Sequence, residues 1–178
     1  MDGYPAATGI GCDSGGLMVM VYAVQGFGGA NLPLDNPLQV PAHRYSGRVL
    51  ASGKEAMRTT PKFERGRLLG DVVFVSGTAA IKGEDSEFSE DTRVQALGAI
   101  DVVEHLVAPS NISPDCSAFR FGYLRVYVRR PQDLEPVREM FISHFKDTPI
   151  HFLQADICRP ELLLELEGVG RALPFLRP

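Results

Sequence analysis

The chain has 178 residues, 44% of them hydrophobic and 22% charged, with a formal net charge of -4. That length suits one domain with one core. The acidic balance argues against nucleic acid as a partner, because phosphate binding relies on clustered Lys and Arg. The one local basic cluster, Arg125, Arg129 and Arg130, reads as a solvated strand edge. Cys12, Cys116 and Cys158 are scattered and odd in number, which fits a reducing compartment better than a disulfide framework. No Cys or His pair has metal-ligand spacing, and no metal is expected. There is no long apolar run, so no membrane span is expected. MDGYPAATGIG lacks the basic and apolar regions of a signal peptide, and a cytoplasmic protein is the default expectation.

Residues 1–16 are rich in Gly and Ala, with little periodicity. LMVMVYAV (17–24) is short, apolar and β-branched, and predicts a buried strand. Residues 26–47 are full of Gly, Pro, Asn and Asp and form a long connection. Within them GFGGA (26–30) is Gly-rich but lacks the spacing of a dinucleotide loop. SGKEAM (52–57) reads as a loop and FERGRLL (63–69) as a short strand. A turn at Gly70–Asp71 leads into a strand over VVFVSGTAAI (72–81). KGEDSEFSED (82–91) is acidic, and Ser89 or Asp91 is placed to cap a helix from about Thr92 to Val107. That helix carries a stripe of Val94, Leu97, Ile100, Val103 and Val107. PSNISPD (109–115) ends it.

FRFGYLRVYVRR (119–130) alternates as a strand. Phe121, Tyr123 and Arg125 are assigned to one face, and Leu124, Val126 and Val128 to the other. Pro131 opens a second helix, with Leu134, Val137, Phe141 and His144/Phe145 as its apolar stripe. PIHFLQADI (149–157) and LLLELEG (162–168) are the last strands, separated by Pro160. Strand, helix, strand, helix, strand, strand is an α/β pattern with both helices on one sheet face. The other face then needs a cover, which another subunit would supply. The expected division is an N-terminal extension over 1–70, with one or two strands and a long loop, and a folded domain over 71–178.

DICRPELLLELEG (156–168) sets glutamates among leucines. As a strand, it sends Leu162, Leu164 and Leu166 one way and Leu163, Glu165 and Glu167 the other. A carboxyl on a buried second face has a raised pKa unless it is paired, which suits a general acid near neutral pH. Alternatively the two glutamates line a solvated face or pair with arginines across the subunit interface. Cys158 reads as a small hydrophobe or a pocket wall, since no neighbour in sequence lowers its thiol pKa. Arg159 is either a carboxylate anchor or half of a surface ion pair. The small residues of SGTAAI (76–81) either let a ligand approach the backbone or pack tightly on a helix.

The order VVFVSGTAAIKG, helix, FRFGYLRVYVRRPQDLEPVREMF, ADICRPELLLELEG resembles the Rid (YjgF-like) superfamily, a chorismate-mutase-like α+β fold. More narrowly, GYPAATGIG, PLDNPLQVPAHRY, FVSGTAAIKG and DICRPELLLELEG are similar to chorismatases, toward the C-terminal part of those proteins. The resemblance implies a homotrimer with a central barrel and pockets between subunits. It implies cleavage of the enolpyruvyl ether of chorismate or a related small carboxylate, releasing pyruvate, with no metal or organic cofactor. On this resemblance Glu165 is the catalytic acid. Arg159 holds a substrate carboxylate, and Cys158, Tyr45, Gly77, Thr78 and Ala79 shape the pocket. Two other readings stay open: a Rid-type imine or enamine deaminase, and a non-catalytic small-molecule binder. The imine deaminases hold the substrate carboxylate with an arginine, at the position where this chain has His151.

Overall fold

The computed structural model describes residues 3–12, 15–47, 59–87 and 90–175. In chain order the strands are β1 (Asn31–Leu34), β2 (Gly66–Leu69), β3 (Val72–Thr78), β4 (Ile81–Lys82), β5 (Asp85–Ser86), β6 (Cys116–Val128), β7 (Ile150–Gln154) and β8 (Leu164–Pro174). The helices are α1 (Thr92–Leu106), α2 (Pro109–Ile112) and α3 (Leu134–His144). Strands β4 and β5 form a small hairpin inside the acidic stretch. The other six form one mixed sheet in the order β1-β2-β3-β8-β6-β7, in which only the β6–β7 pair is parallel. Pro33 lies in β1, an edge strand, where a missing backbone donor costs least.

Local chemistry accounts for the element ends. The β2–β3 turn has Gly70 at a positive φ of 66°, a conformation that side chains disfavour. The Asp91 side chain accepts from the Arg93 N–H at 2.8 Å and caps α1. Pro131 opens a 3-10 turn, and α3 follows from Leu134.

Helices α1 and α3 cover one face of the sheet. Val73, Val75, Leu124, Val126, Val128, Leu164 and Leu166 are buried there against Ala96, Ala99, Val103, Leu106, Val137 and Phe141. Burial of this kind contributes roughly 1.5–3 kcal/mol for each large aliphatic side chain. The mixed α/β architecture with both helices on one face is as the sequence pattern predicts.

Several local expectations change. Residues 17–24 form no strand: Leu17 is 90% and Met18 94% exposed, and among the described residues no sheet neighbour supplies backbone partners. On α1, Ile100, Val103 and Val107 are buried, but Val94 and Leu97 are 53% and 61% exposed. The buried face is rotated toward Ala96, Ala99 and Val102, small residues that let the helix lie close to the sheet. Phe121 belongs to the helix side, edge-on to Phe145 at 5.6 Å, because a bulge between Phe121 and Tyr123 inserts Gly122 and flips the alternation. Leu162 precedes β8 and packs in a second cluster with Ala79, Ile81, Tyr127, Ala155 and Ile157. Strand β7 stops at Gln154, and β8 runs on to Pro174. The loop expected over 52–57 lies outside the described residues.

Candidate active site

Strand alternation on β8 places two carboxylates on the face away from the helices. Leu164 and Leu166 enter the core, while Glu165 stands opposite Tyr127 and Glu167 opposite Arg125 on β6. The two glutamates have different surroundings. Glu167 accepts through Oε1 from Arg125 Nη1 at 2.8 Å and from the Tyr127 hydroxyl at 2.7 Å. Glu165 is 5% exposed and has no hydrogen-bond or ion-pair partner among the described residues. Burial, and then the charge of Glu167, push its carboxyl up to about 7. The phenol of Tyr127 is also pushed up, first by burial and then by its bond to Glu167.

Room for the Glu165 carboxyl comes from a second bulge. Val75 pairs with Gly168 and Thr78 with Leu166, so Ser76 and Gly77 together face one residue of β8. A Cβ on Gly77 would fall 1.9 Å from Glu165 Oε1 and 3.1 Å from Thr8 Cγ2. Only glycine leaves space for the acid there. Ser76 binds the N-terminal segment across this point. Its Oγ donates to the Glu64 carbonyl at 2.5 Å and accepts from the Ala7 N–H at 3.0 Å. Farther on, Gly11 and Asp156 exchange backbone hydrogen bonds at 2.9 and 3.0 Å. The segment from Tyr4 to Gly11 is thus laid from the start of β2 past Gly77 to the loop after β7.

That loop, 155–163, brings the next two candidates. Cys158 is partly open to solvent, yet loss of surrounding water and then the charge of Glu165 push its thiol up against the opposing pull of Arg159. A raised thiol is a poor nucleophile at neutral pH. Arg159 lies over the Tyr45 ring at 5.2 Å, and its Nη1 donates to the Glu84 carbonyl at 2.9 Å and to Ser86 Oγ at 3.1 Å. Tyr45 is buried and accepts from Arg65 Nη2.

The loop is held at both ends. Arg129 Nη1 donates to the Pro160 carbonyl at 2.7 Å, and Nη2 to those of Ile157 and Arg159 at 2.6 and 2.9 Å. It also pairs with Asp156 at 2.9 Å. Gln95 on α1 donates to the Glu161 carbonyl at 2.8 Å and accepts from the Leu163 N–H at 2.8 Å.

Gly77, Cys158 and Glu165 are thus neighbours, and Arg159 joins Tyr45. Thr78 is buried with its hydroxyl turned to the Ser76 carbonyl at 2.8 Å, and Ala79 lies in the second apolar cluster beside Tyr127. Sequence reasoning did not single out Thr8, Arg65, Gln95 or Arg129 as supports. The visible signal for Arg65 was a charge directly before a strand in FERGRLL. Nothing in the local pattern marks Gln95, whose partners are 66 and 68 residues away. His151 is exposed on β7, beside Arg125 in register. Among the described residues no group of three or more His, Cys, Asp or Glu could hold a metal ion. No helix among them is long and apolar enough to cross a membrane.

The sheet order and the two helices packed on one face define a protein of Rid/YjgF-like fold. A Rid-family protein of Yersinia pestis superposes with a TM-score of 0.57 at 12% identity, covering 80% of this chain and all of that one. In sequence the chain is similar to chorismatases over most of its own length. A crystal structure of a chorismatase matches with a TM-score of 0.68 at 27% identity, over 80% of this chain and 44% of that one. A 3-hydroxybenzoate synthase of Streptomyces hygroscopicus is 35% identical over 182 residues, covering 94% of this chain and 51% of the relative. The chain spans about half the length of the curated relatives it matches. No protein-family model matches it.

Proposed function

We propose that this chain cleaves the enolpyruvyl ether of chorismate, or of a closely related small carboxylate, with Glu165 as the general acid. The observation that supports it most is a buried, unpartnered carboxyl whose pKa of about 7 keeps much of it protonated near neutrality. Glu165 gives its proton to the terminal methylene carbon, and the ether carbon becomes an oxygen-stabilised cation. Water adds there and passes a proton back to the Glu165 carboxylate, which gives a hemiketal that collapses to pyruvate and the ring alcohol. Glu167 is already bound to Arg125 and Tyr127, so its role is to hold the electrostatic field that keeps Glu165 protonated. Arg159 anchors a substrate carboxylate. Cys158, Tyr45 and the Gly77–Thr78–Ala79 turn form the walls.

The likeness to chorismatases and to a 3-hydroxybenzoate synthase supports the substrate class. The homotrimer belongs to the same reading, with a neighbouring copy closing the sheet face on which Glu165 stands. The test is pyruvate release from chorismate, followed by coupled reduction to lactate. Wild type should release it, and Glu165→Gln should lose on the order of 10²–10⁴ in rate, the usual contribution of a placed acid. Wild type giving no pyruvate above a blank would end this reading. Ammonia release from imino acids without pyruvate would favour deaminase chemistry instead.

A further inference from the structure

Arg65 is a buried charge without a counter-charge among the described residues. It is 4% exposed, its Nε is buried with no hydrogen-bond partner, and it has no ion pair among the described residues. Its Nη2 is used on two neutral oxygens, the Val40 carbonyl at 2.7 Å and the Tyr45 hydroxyl. Buried guanidinium groups are almost always paired, because removing the charge from water is costly unless an anion compensates it.

Among the described residues the surroundings supply no such anion. The Glu64 carboxylate is adjacent in sequence, but it accepts from the Tyr4 N–H at 2.8 Å and faces His43 at 3.8 Å. The Glu84 carboxylate is bound by the Ser46 N–H and hydroxyl at 2.7 and 2.6 Å. A second cation stands nearby instead. The guanidinium carbons of Arg65 and Arg159 each lie 5.2 Å from the centroid of the same Tyr45 ring. Arg159 likewise has no carboxylate partner among the described residues. Two uncompensated positive charges around one ring repel, in a chain whose net charge is negative.

This cationic pair is tied to the Glu165 pocket at two points. Ser76, next to Gly77, donates its N–H to the Arg65 carbonyl at 3.1 Å. Arg159 directly follows Cys158, whose thiol feels the Glu165 charge. We infer that Arg65, with Arg159 across Tyr45, forms an anion site for a carboxylate of the ligand, so that a dicarboxylate is held by two guanidiniums while Glu165 meets its reactive carbon. This rests on the proposed reaction for the role of Glu165, but not for the existence of the anion site.

The test separates the two. Malonate and acetate are titrated against the full chain in thermal melts at constant ionic strength, and chorismate is titrated calorimetrically against the non-reacting Glu165→Gln variant. Malonate should raise the Tm of wild type well above the effect of acetate. Arg65→Met should abolish that difference, and in the Glu165→Gln background it should weaken chorismate at least tenfold. If Arg65→Met does not fold, Arg65→Lys keeps the charge but loses the two-pronged geometry, and should weaken both ligands about tenfold. Equal responses to malonate and acetate in wild type, or unchanged affinity in both variants, would overturn the inference and leave Arg65 as a support for Tyr45 alone. Arg65-dependent malonate protection without any pyruvate release would keep the anion site and remove the proposed reaction.

Discussion

Glu165 is stabilised by its proton. In the unfolded chain a glutamate ionises near 4.5, and in the folded chain near 7. Between those values the unfolded state sheds a proton that the folded state keeps. Stability therefore falls as pH rises from about 4.5 to about 7, and levels off above. The loss is roughly 3 kcal/mol if the whole difference is expressed. Glu165→Gln should remove that slope, raising the Tm at pH 8 and changing it little at pH 4.5, as read in a pH series of thermal melts. Activity should follow the same proton: the pyruvate release rate should decline as pH rises through about 7, since only the protonated acid donates. Gly77 is the companion case. Gly77→Ala places a methyl 1.9 Å from Glu165 Oε1, so the carboxyl must swing out of its place. The expected result is a loss of pyruvate release on the order of 10²-fold, at a stability cost of about 1–3 kcal/mol from overpacking.

At the scale of elements, the loop between β7 and β8 depends on partners from elsewhere in the chain. Gln95→Leu leaves the Glu161 carbonyl and the Leu163 N–H without protein partners, at a cost of roughly 1–3 kcal/mol for each buried group. Denaturant unfolding should show that loss, and chorismate KM should rise, because Cys158 and Arg159 ride on the released loop. An unchanged midpoint would show that the loop holds without α1. Legibility in the sequence also divides by element. The separation of Glu165 and Glu167 from Leu164 and Leu166 was readable, since period two is a property of any strand. Phe121 was misplaced because a bulge at Gly122 shifts that period, and a glycine inside a strand only hints at one. Val94 and Leu97 attracted the core assignment by size, although small Ala96 and Ala99 are what permit close approach to the sheet. Arginine pairing was one reading of Glu167, but its partners Arg125 and Tyr127 within the same sheet were hidden, since cross-strand register over some 40 residues has no local signature.

For the whole molecule, the face opposite the helices is where assembly bears on the site. Residues 4–11 cross part of it, and the run 17–24 is exposed. Apolar composition alone made 17–24 look like a strand, but a strand also needs a neighbour to take its backbone hydrogen bonds. If three copies close the face as proposed, sedimentation velocity should give three times the chain mass at micromolar concentration. A monomer there would refute the shared-pocket arrangement. Replacing Val19 and Val21 by Asp should leave the fold intact, because both are exposed here, and near-native circular dichroism would check it.

The place of β8 in the sheet has a consequence for biosynthesis. It joins β1-β2-β3 on one side to β6-β7 on the other, and it follows both groups in the chain. As the ribosome feeds out residues in order, the two groups wait as separate pieces with open edges until β8 arrives between them. Those waiting edges are where newly made chains can pair wrongly. The step that removes the hazard is the same one that delivers Glu165, so a nascent chain acquires its acid and its closed sheet in a single event.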